Sequence, residues 1–224
     1  MFFKLLVFFI KFIDMVKYLR YYISTLTLII GMYLCLLVQN GPSILFVGFS
    51  LLIILGDILI SEEDSEFEYS YPFLLNLPMY INLPLLVLFL SMTISLLSKS
   101  PSQNNLVFGY LNINFNETKQ LYNLFDKVSL VAISSLFIGI MGTVPGHELV
   151  HRKKNKFDMF MGNWLLSLSW DCAFALEHVY GHHKNVGLQT DPATAKRGEN
   201  IYAFILRAIV KEQKDAWKIF LNQK

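Results

Sequence analysis

Charge is scarce in this sequence. Lysine and arginine number 19 and aspartate and glutamate 17 among 224 residues, so only 16% of the chain is charged and the formal net charge is +2. A typical soluble domain carries ~25% charged residues. That near-neutral balance excludes a nucleic-acid binder that works by bulk positive charge. Cysteine is almost absent too: Cys35 and Cys172 each stand alone in an apolar stretch, which excludes a disulfide scaffold and a thiolate metal site. Internal repeats and low-complexity linkers are missing as well. What abounds is apolar surface, with 54% hydrophobic residues, 15% aromatics and a mean hydropathy of +0.45. One soluble core of this length could not hide so much, and disorder is excluded by the same numbers. The class that remains is an all-α integral membrane protein.

The gaps between charges locate the spans. No charged residue occurs from Tyr21 through Gly56, and the run is broken once by Gln39-Asn40-Gly41-Pro42-Ser43, a polar turn. Each half approaches the ~20 residues that cross a bilayer as a helix, predicting spans at 21–38 and 44–60. A second uncharged run, Tyr69 to Ser98, is interrupted early by Pro72, Pro78 and Pro84. It predicts a helix over about 79–97, with the prolines marking a bend. The fourth span is predicted at 128–146, where Gly139 and Gly142 permit close helix contact.

The first twenty residues, MFFKLLVFFIKFIDMVKYLR, have an apolar run of only six residues between Lys4 and Lys11 and no small-residue cleavage site. They read as an interfacial amphipathic helix rather than a signal peptide. Lys4, Lys11, Lys17 and Arg20 place the N-terminus in the cytoplasm, and four spans return the chain there at His151-Arg152-Lys153-Lys154-Asn155-Lys156, its densest basic run. Residues 147–224 are therefore expected at the cytoplasmic face of a bacterial inner membrane. Within them, Phe157 to Leu176 holds Asp158, Asn163, Asp171, Trp164 and Trp170, which suits a segment lying in or dipping into the interface. Ile201 to Leu221 reads as an amphipathic surface helix.

All five histidines fall between positions 147 and 183, in His147-Glu148-Leu149-Val150-His151 and Glu177-His178-Val179-Tyr180-Gly181-His182-His183. At ~3.6 residues per turn an i, i+4 pair shares one helix face, so His147 and His151 aim at one point, as do His178 and His182. His183 then points to the side, toward a second metal. Imidazole suits iron, zinc or copper. If both clusters serve one centre they lie on one side of the membrane, and Phe157 to Leu176 makes no net crossing. Two other readings compete: unrelated interfacial histidines, and an intramembrane zinc metalloprotease with the H-E-x-x-H motif and Glu148 as general base. The protease motif leaves three clustered histidines unexplained.

HELVHR, EHVYGHHKNVG and DPATAKRGENIYAF together resemble the membrane-bound alkane 1-monooxygenase family, within the superfamily of membrane fatty acid desaturases and hydroxylases. Three residues between His178 and His182 match its hydroxylase pattern, and the likeness extends through the upstream spans and to Ala216-Trp217. Val150 and Arg152 are mild departures. The family's third histidine box has no counterpart here, so the chain reads as the N-terminal portion of a longer enzyme or a truncated product. As a lone chain it is expected to bind iron weakly and to be inactive.

The resemblance implies a non-haem centre of two iron ions, with His147, His151, His178, His182 and His183 as ligands. It implies insertion of one oxygen atom of O₂ into a terminal C–H bond of an alkane taken from the bilayer. Rubredoxin and its reductase would be the electron-donating partners, and no nucleic acid is involved. Glu148, Glu177 and Asp191 are candidate partners that fix histidine tautomers or bridge iron; each could instead be a solvated interfacial carboxylate. The alternatives are a lipid desaturase or hydroxylase of the same superfamily, the zinc protease, and an inactive fragment.

Overall fold

The computed structural model describes residues 17–59, 68–99 and 114–222. The interfacial helix expected over 1–20 lies outside them as far as residue 16. The regular elements among the described residues are all helical, with no strand among them. Four helices are long and apolar enough to cross a membrane: Lys17–Leu37, Gly41–Leu59, Pro72–Leu97 and Leu124–His151. Contacts divide the chain into two compact units, Met1–Met141 and Gly142–Lys224.

In the first unit, α1 (Ile23–Leu37) and α2 (Gly41–Leu59) form a hairpin. Asn40 supplies the left-handed residue of the turn, at φ 57°. Gly41 follows because a Cβ there would lie 1.9 Å from the Leu34 carbonyl oxygen. Outward positions such as Ile58, Leu59 and Ile94 are large, apolar and exposed, as a lipid-facing surface requires. Inward, Leu86, Phe89, Met92, Leu130, Ile133 and Phe137 are wholly buried, and Phe137 meets Phe89 edge-on at 5.3 Å between ring centroids.

The third helix, α3 (Pro72–Leu97), begins seven residues before the expected start at Met79 and runs through Pro78 and Pro84. A proline inside a helix orphans the carbonyl four residues earlier. For Pro78 that is Leu74, whose oxygen accepts a 2.7 Å hydrogen bond from the Tyr22 hydroxyl. A partner on a neighbouring helix thus replaces the missing N–H, and the helix continues.

A short helix, α4 (Phe115–Gln120), leads to α5 (Leu124–Phe137), which starts with a capping box between Asn123 and Asp126. Asp126 is fully buried and also accepts from the Ser43 hydroxyl at the start of α2. Beyond Phe137 the backbone widens to i→i+5 pairing over Ile138–Thr143. The Met141 carbonyl accepts from the buried Asn82 amide at 3.2 Å, and Asn82 Oδ1 accepts from Thr25 at 3.0 Å. Gly139 faces open space, so the helix contact expected of it does not form there.

The second unit opens with α6 (Val144–His151), the last two turns of the fourth long helix. A tight turn leads to α7 (Lys156–Ser167), capped by Asn155, whose side-chain oxygen accepts from the Phe157 and Asp158 N–H groups. The close contact between helices falls here. A Cβ on Gly162 would sit 3.0 Å from the Gly146 carbonyl oxygen and 2.8 Å from Val150. The helix ends at Ser167, and the chain turns through Trp170 at φ 63°, 91% exposed. It resumes as α8 (Phe174–Glu177), an i→i+5 stretch at His178–His182, the single turn α9 (His183–Asn185), a loop, and α10 (Ile201–Asn222).

Candidate metal centre

The end of α6 presents His147 and His151 one turn apart, with their Nε2 atoms 2.9 Å from each other. Here ordinary α geometry holds and the i, i+4 spacing does what it promises. The second cluster departs from it. The His183 N–H bonds to the His178 carbonyl five residues back, so the turn is one residue wider than an α turn. It is His183, not His182, whose Nε2 faces the Nε2 of His178, at 3.1 Å. His182 lies flat against His178 instead, with ring centroids 5.3 Å apart and planes 19° apart.

The two clusters meet. His147 and His178 have ring centroids 4.4 Å apart, His151 and His178 5.2 Å, and His151 and His183 5.0 Å. One nitrogen from each of His147, His151 and His178 falls within a group whose members all lie within 4.8 Å. Two nitrogens bound at about 2.1 Å to one metal and at right angles sit about 3.0 Å apart, so the 2.9 and 3.1 Å separations suit neighbouring ligands on a metal edge. A nitrogen-only donor set without thiolate suits iron, zinc or copper. Burial, reinforced by the surrounding imidazoles, pushes His178 down to about 4. It is therefore neutral near pH 7, the form that ligates.

The carboxylates separate into three environments. Glu148 turns away: its side chain is 57% exposed and pairs with Arg152 at 3.0 Å. It sits one turn from its partner on the solvent side, as neither an orienting group nor the general base of a protease would. Asp191 is the opposite case, 2% exposed, with Oδ2 3.0 Å from His182 Nδ1. Burial alone would raise its pKa, but hydrogen bonds from the Thr194 hydroxyl, His182 and the Ala193 N–H outweigh burial and hold it low. An ionised Asp191 fixes the proton of His182 on Nδ1 and leaves Nε2 with its lone pair.

Glu177 is buried, and its Oε1 has no hydrogen-bond partner among the described residues. Burial and the nearby Glu212 carboxylate push it up to about 7. Gly181 makes room for it, since a Cβ there would stand 2.7 Å from Glu177 Oε1. With Asp171 and Glu212, both also raised by burial, it borders a cavity of about 340 Å³ that His147, His178 and His182 line as well. Glu212, Asp171 and Phe174, whose ring stacks on His178 at 4.4 Å, carry no motif by which sequence spacing could have marked them. Asp57, near the end of α2 in the other unit, is exposed.

Residues 127–223 match the fatty acid desaturase family profile. Alkane 1-monooxygenase 1 of Alcanivorax borkumensis is 39% identical over 98 residues, covering 44% of this chain and 24% of that protein. The alkane 1-monooxygenase of Pseudomonas putida gives the same identity and coverage. The xylene/toluene monooxygenase hydroxylase component of Pseudomonas putida is 28% identical over 164 residues, 73% of this chain and 39% of its own length. The matched region is thus about a quarter of the alkane monooxygenases it resembles. No solved structure matches. The segment 127–223, which contains every histidine of the chain, is thus similar to the fatty acid desaturase family and, within the matched region, to the alkane 1-monooxygenases.

Proposed function

We propose that this chain supplies the histidine face of a membrane-embedded, non-haem di-iron monooxygenase that hydroxylates hydrocarbons with O₂. The observation that carries the reading is the convergence of His147, His151 and His178 from two sequence-distant clusters onto one point. His182 and His183 complete the proposed ligand set. Iron, when bound, supplies the oxidising power that an unpolarised C–H bond demands and no acid or base can provide. The chain's own residues supply the rest. Burial keeps His178 neutral at working pH, and Asp191 holds the His182 proton on Nδ1. Phe174 stacks on His178 and shields one side of it from water. The alkane substrate, reaching the site from the bilayer, and electrons from rubredoxin and its reductase belong to the same proposal, as does a site on the cytoplasmic face of the inner membrane.

The zinc-protease reading is disfavoured by Glu148, which pairs with Arg152 at 3.0 Å on an exposed surface. Anaerobic titration of the detergent-solubilised chain with Fe(II), followed by Mössbauer spectroscopy, tests the proposal. At saturating Fe(II), two nitrogen-ligated irons per chain are expected, weakly held by this chain alone, with loss of both signals in His178→Ala. A preference for a single zinc, or an iron content unaffected by His178→Ala, overturns it.

A further inference from the structure

The loop from Asp191 to Glu199 has no regular structure, yet it is tied to a single side chain from α10. Arg207 donates from Nη1 to the Pro192 carbonyl at 3.0 Å and from Nη2 to the Thr194 carbonyl at 3.1 Å. It also grips Glu199 with both edges of its fork, Nε to Oε1 at 2.6 Å and Nη2 to Oε2 at 2.7 Å. Glu199 closes the loop on itself by accepting from the Lys196 N–H at 3.0 Å. Both side chains are largely covered, Arg207 16% and Glu199 12% exposed.

The inner side of this loop holds the Asp191 carboxylate. The Ala193 N–H donates to its Oδ1 at 3.0 Å, the Thr194 hydroxyl to its Oδ2, and His182 Nδ1 lies 3.0 Å from the same oxygen. Thr194 joins the two sides. Its hydroxyl serves Asp191 and accepts from the Gly187 N–H at 3.0 Å, while its carbonyl is held by Arg207. A continuous set of hydrogen bonds therefore runs from Arg207 through Thr194 and Asp191 to His182.

We propose that Arg207 is a positioning residue of the metal centre: by clasping the 191–199 loop it sets the Asp191 carboxylate, which fixes the tautomer and ring orientation of His182. The inference rests on the reading of the histidine cluster as a metal site. The chemistry favours arginine specifically. Two carbonyls and a bidentate carboxylate demand donors splayed in one plane, which a guanidinium offers and a lysine ammonium does not. Groups that orient a ligating histidine in this way are worth about 10–100-fold in metal affinity.

The test compares wild type with Arg207→Met, Arg207→Lys and Glu199→Gln, each as the full chain in detergent, with Lys211→Met on the same helix as control. Two readouts are taken: the His182 tautomer in the metal-free protein, by ¹⁵N NMR of histidine-labelled samples, and the affinity for Co(II). Wild type and Lys211→Met should show His182 protonated on Nδ1 alone. Arg207→Met should show mixed tautomers and bind Co(II) about 10–100-fold more weakly, and Arg207→Lys should not rescue either readout. Glu199→Gln, which preserves shape, should move both in the same direction by less, and it decides the matter if Arg207→Met does not fold. Unchanged tautomer and affinity in these variants overturn the clasp while leaving the metal site standing. Failure of wild type to bind Co(II) overturns the metal reading, and the tautomer measurement then still judges the clasp.

Discussion

His178 and His183 face each other across 3.1 Å although five residues separate them, because the His183 N–H reaches back to the His178 carbonyl in a turn one residue wider than an α turn. This pairing decides which histidine of the adjacent pair does what. His183 joins the imidazoles directed at one another, and His182 is left to lie against His178 and take its partner from Asp191.

His183→Ala is therefore expected to weaken Co(II) binding as severely as His178→Ala, on the order of 100-fold or more, beyond what loss of an orienting partner costs. Ordinary α spacing would put His183 to the side and make the change mild. Isothermal titration of the two variants distinguishes the cases, and a His183→Ala affinity within about twofold of wild type would refute the assignment.

Gly162→Ala is expected to part α6 from α7. Its Cβ would meet the Gly146 carbonyl oxygen at 3.0 Å and Leu149 Cβ at 3.0 Å, and backbone cannot retreat as a flexible side chain can. Overpacking of this kind costs about 1–3 kcal/mol, and the shift would carry His147 and His151 with it. Thermal unfolding should report the loss, while Gly139→Ala, where nothing lies within 4 Å, should stay within about 0.5 kcal/mol of wild type.

Glu148→Gln separates the two metal chemistries that share the H-E-x-x-H pattern. The Arg152 pair it breaks is an exposed i, i+4 contact, worth about 0.3–0.5 kcal/mol. Co(II) affinity should therefore stay within about twofold of wild type. A large loss would restore Glu148 to the centre and revive the protease alternative.

The clasp also has an acid limit. Arg207 first, then the Lys196 N–H, hold Glu199 down to about 2, below the ~4.3 of an unperturbed glutamate. The unfolded chain thus takes up its proton first as pH falls, so the stabilisation is complete above about 4.3 and fades as pH drops toward 2. In melting curves recorded from neutral to strongly acidic pH, the difference between wild type and Glu199→Gln should shrink across that window. A pH-independent difference would show that the ionised carboxylate is not what Arg207 holds.

Much of the fold was legible because charge and length act locally. The charge-free runs mark the long helices to within a few residues, and HELVH pairs His147 with His151 because α6 is an ordinary α-helix. The start of α3 is hidden from the sequence for want of a distant fact: no local pattern announces that Tyr22 will satisfy the Leu74 carbonyl orphaned by Pro78. The same holds for the site. Nothing in EHVYGHH signals the wide turn, and the three candidate carboxylates look alike on paper. Only packing distinguishes exposed Glu148 from buried Glu177 and from Asp191, held by a loop whose anchor lies on another helix.

The wide turn at His178–His182 has one consequence for uniqueness. A turn with one residue in excess can slide along its helix by a single position, and such a slip would exchange the roles of the two adjacent imidazoles, presenting His182 to His178 in place of His183. The contact between His182 and Asp191, whose loop Arg207 pins, belongs to the register observed, and a slip would have to give it up. The carboxylate thus works as an index pin for the backbone, deciding which of two neighbouring histidines faces His178.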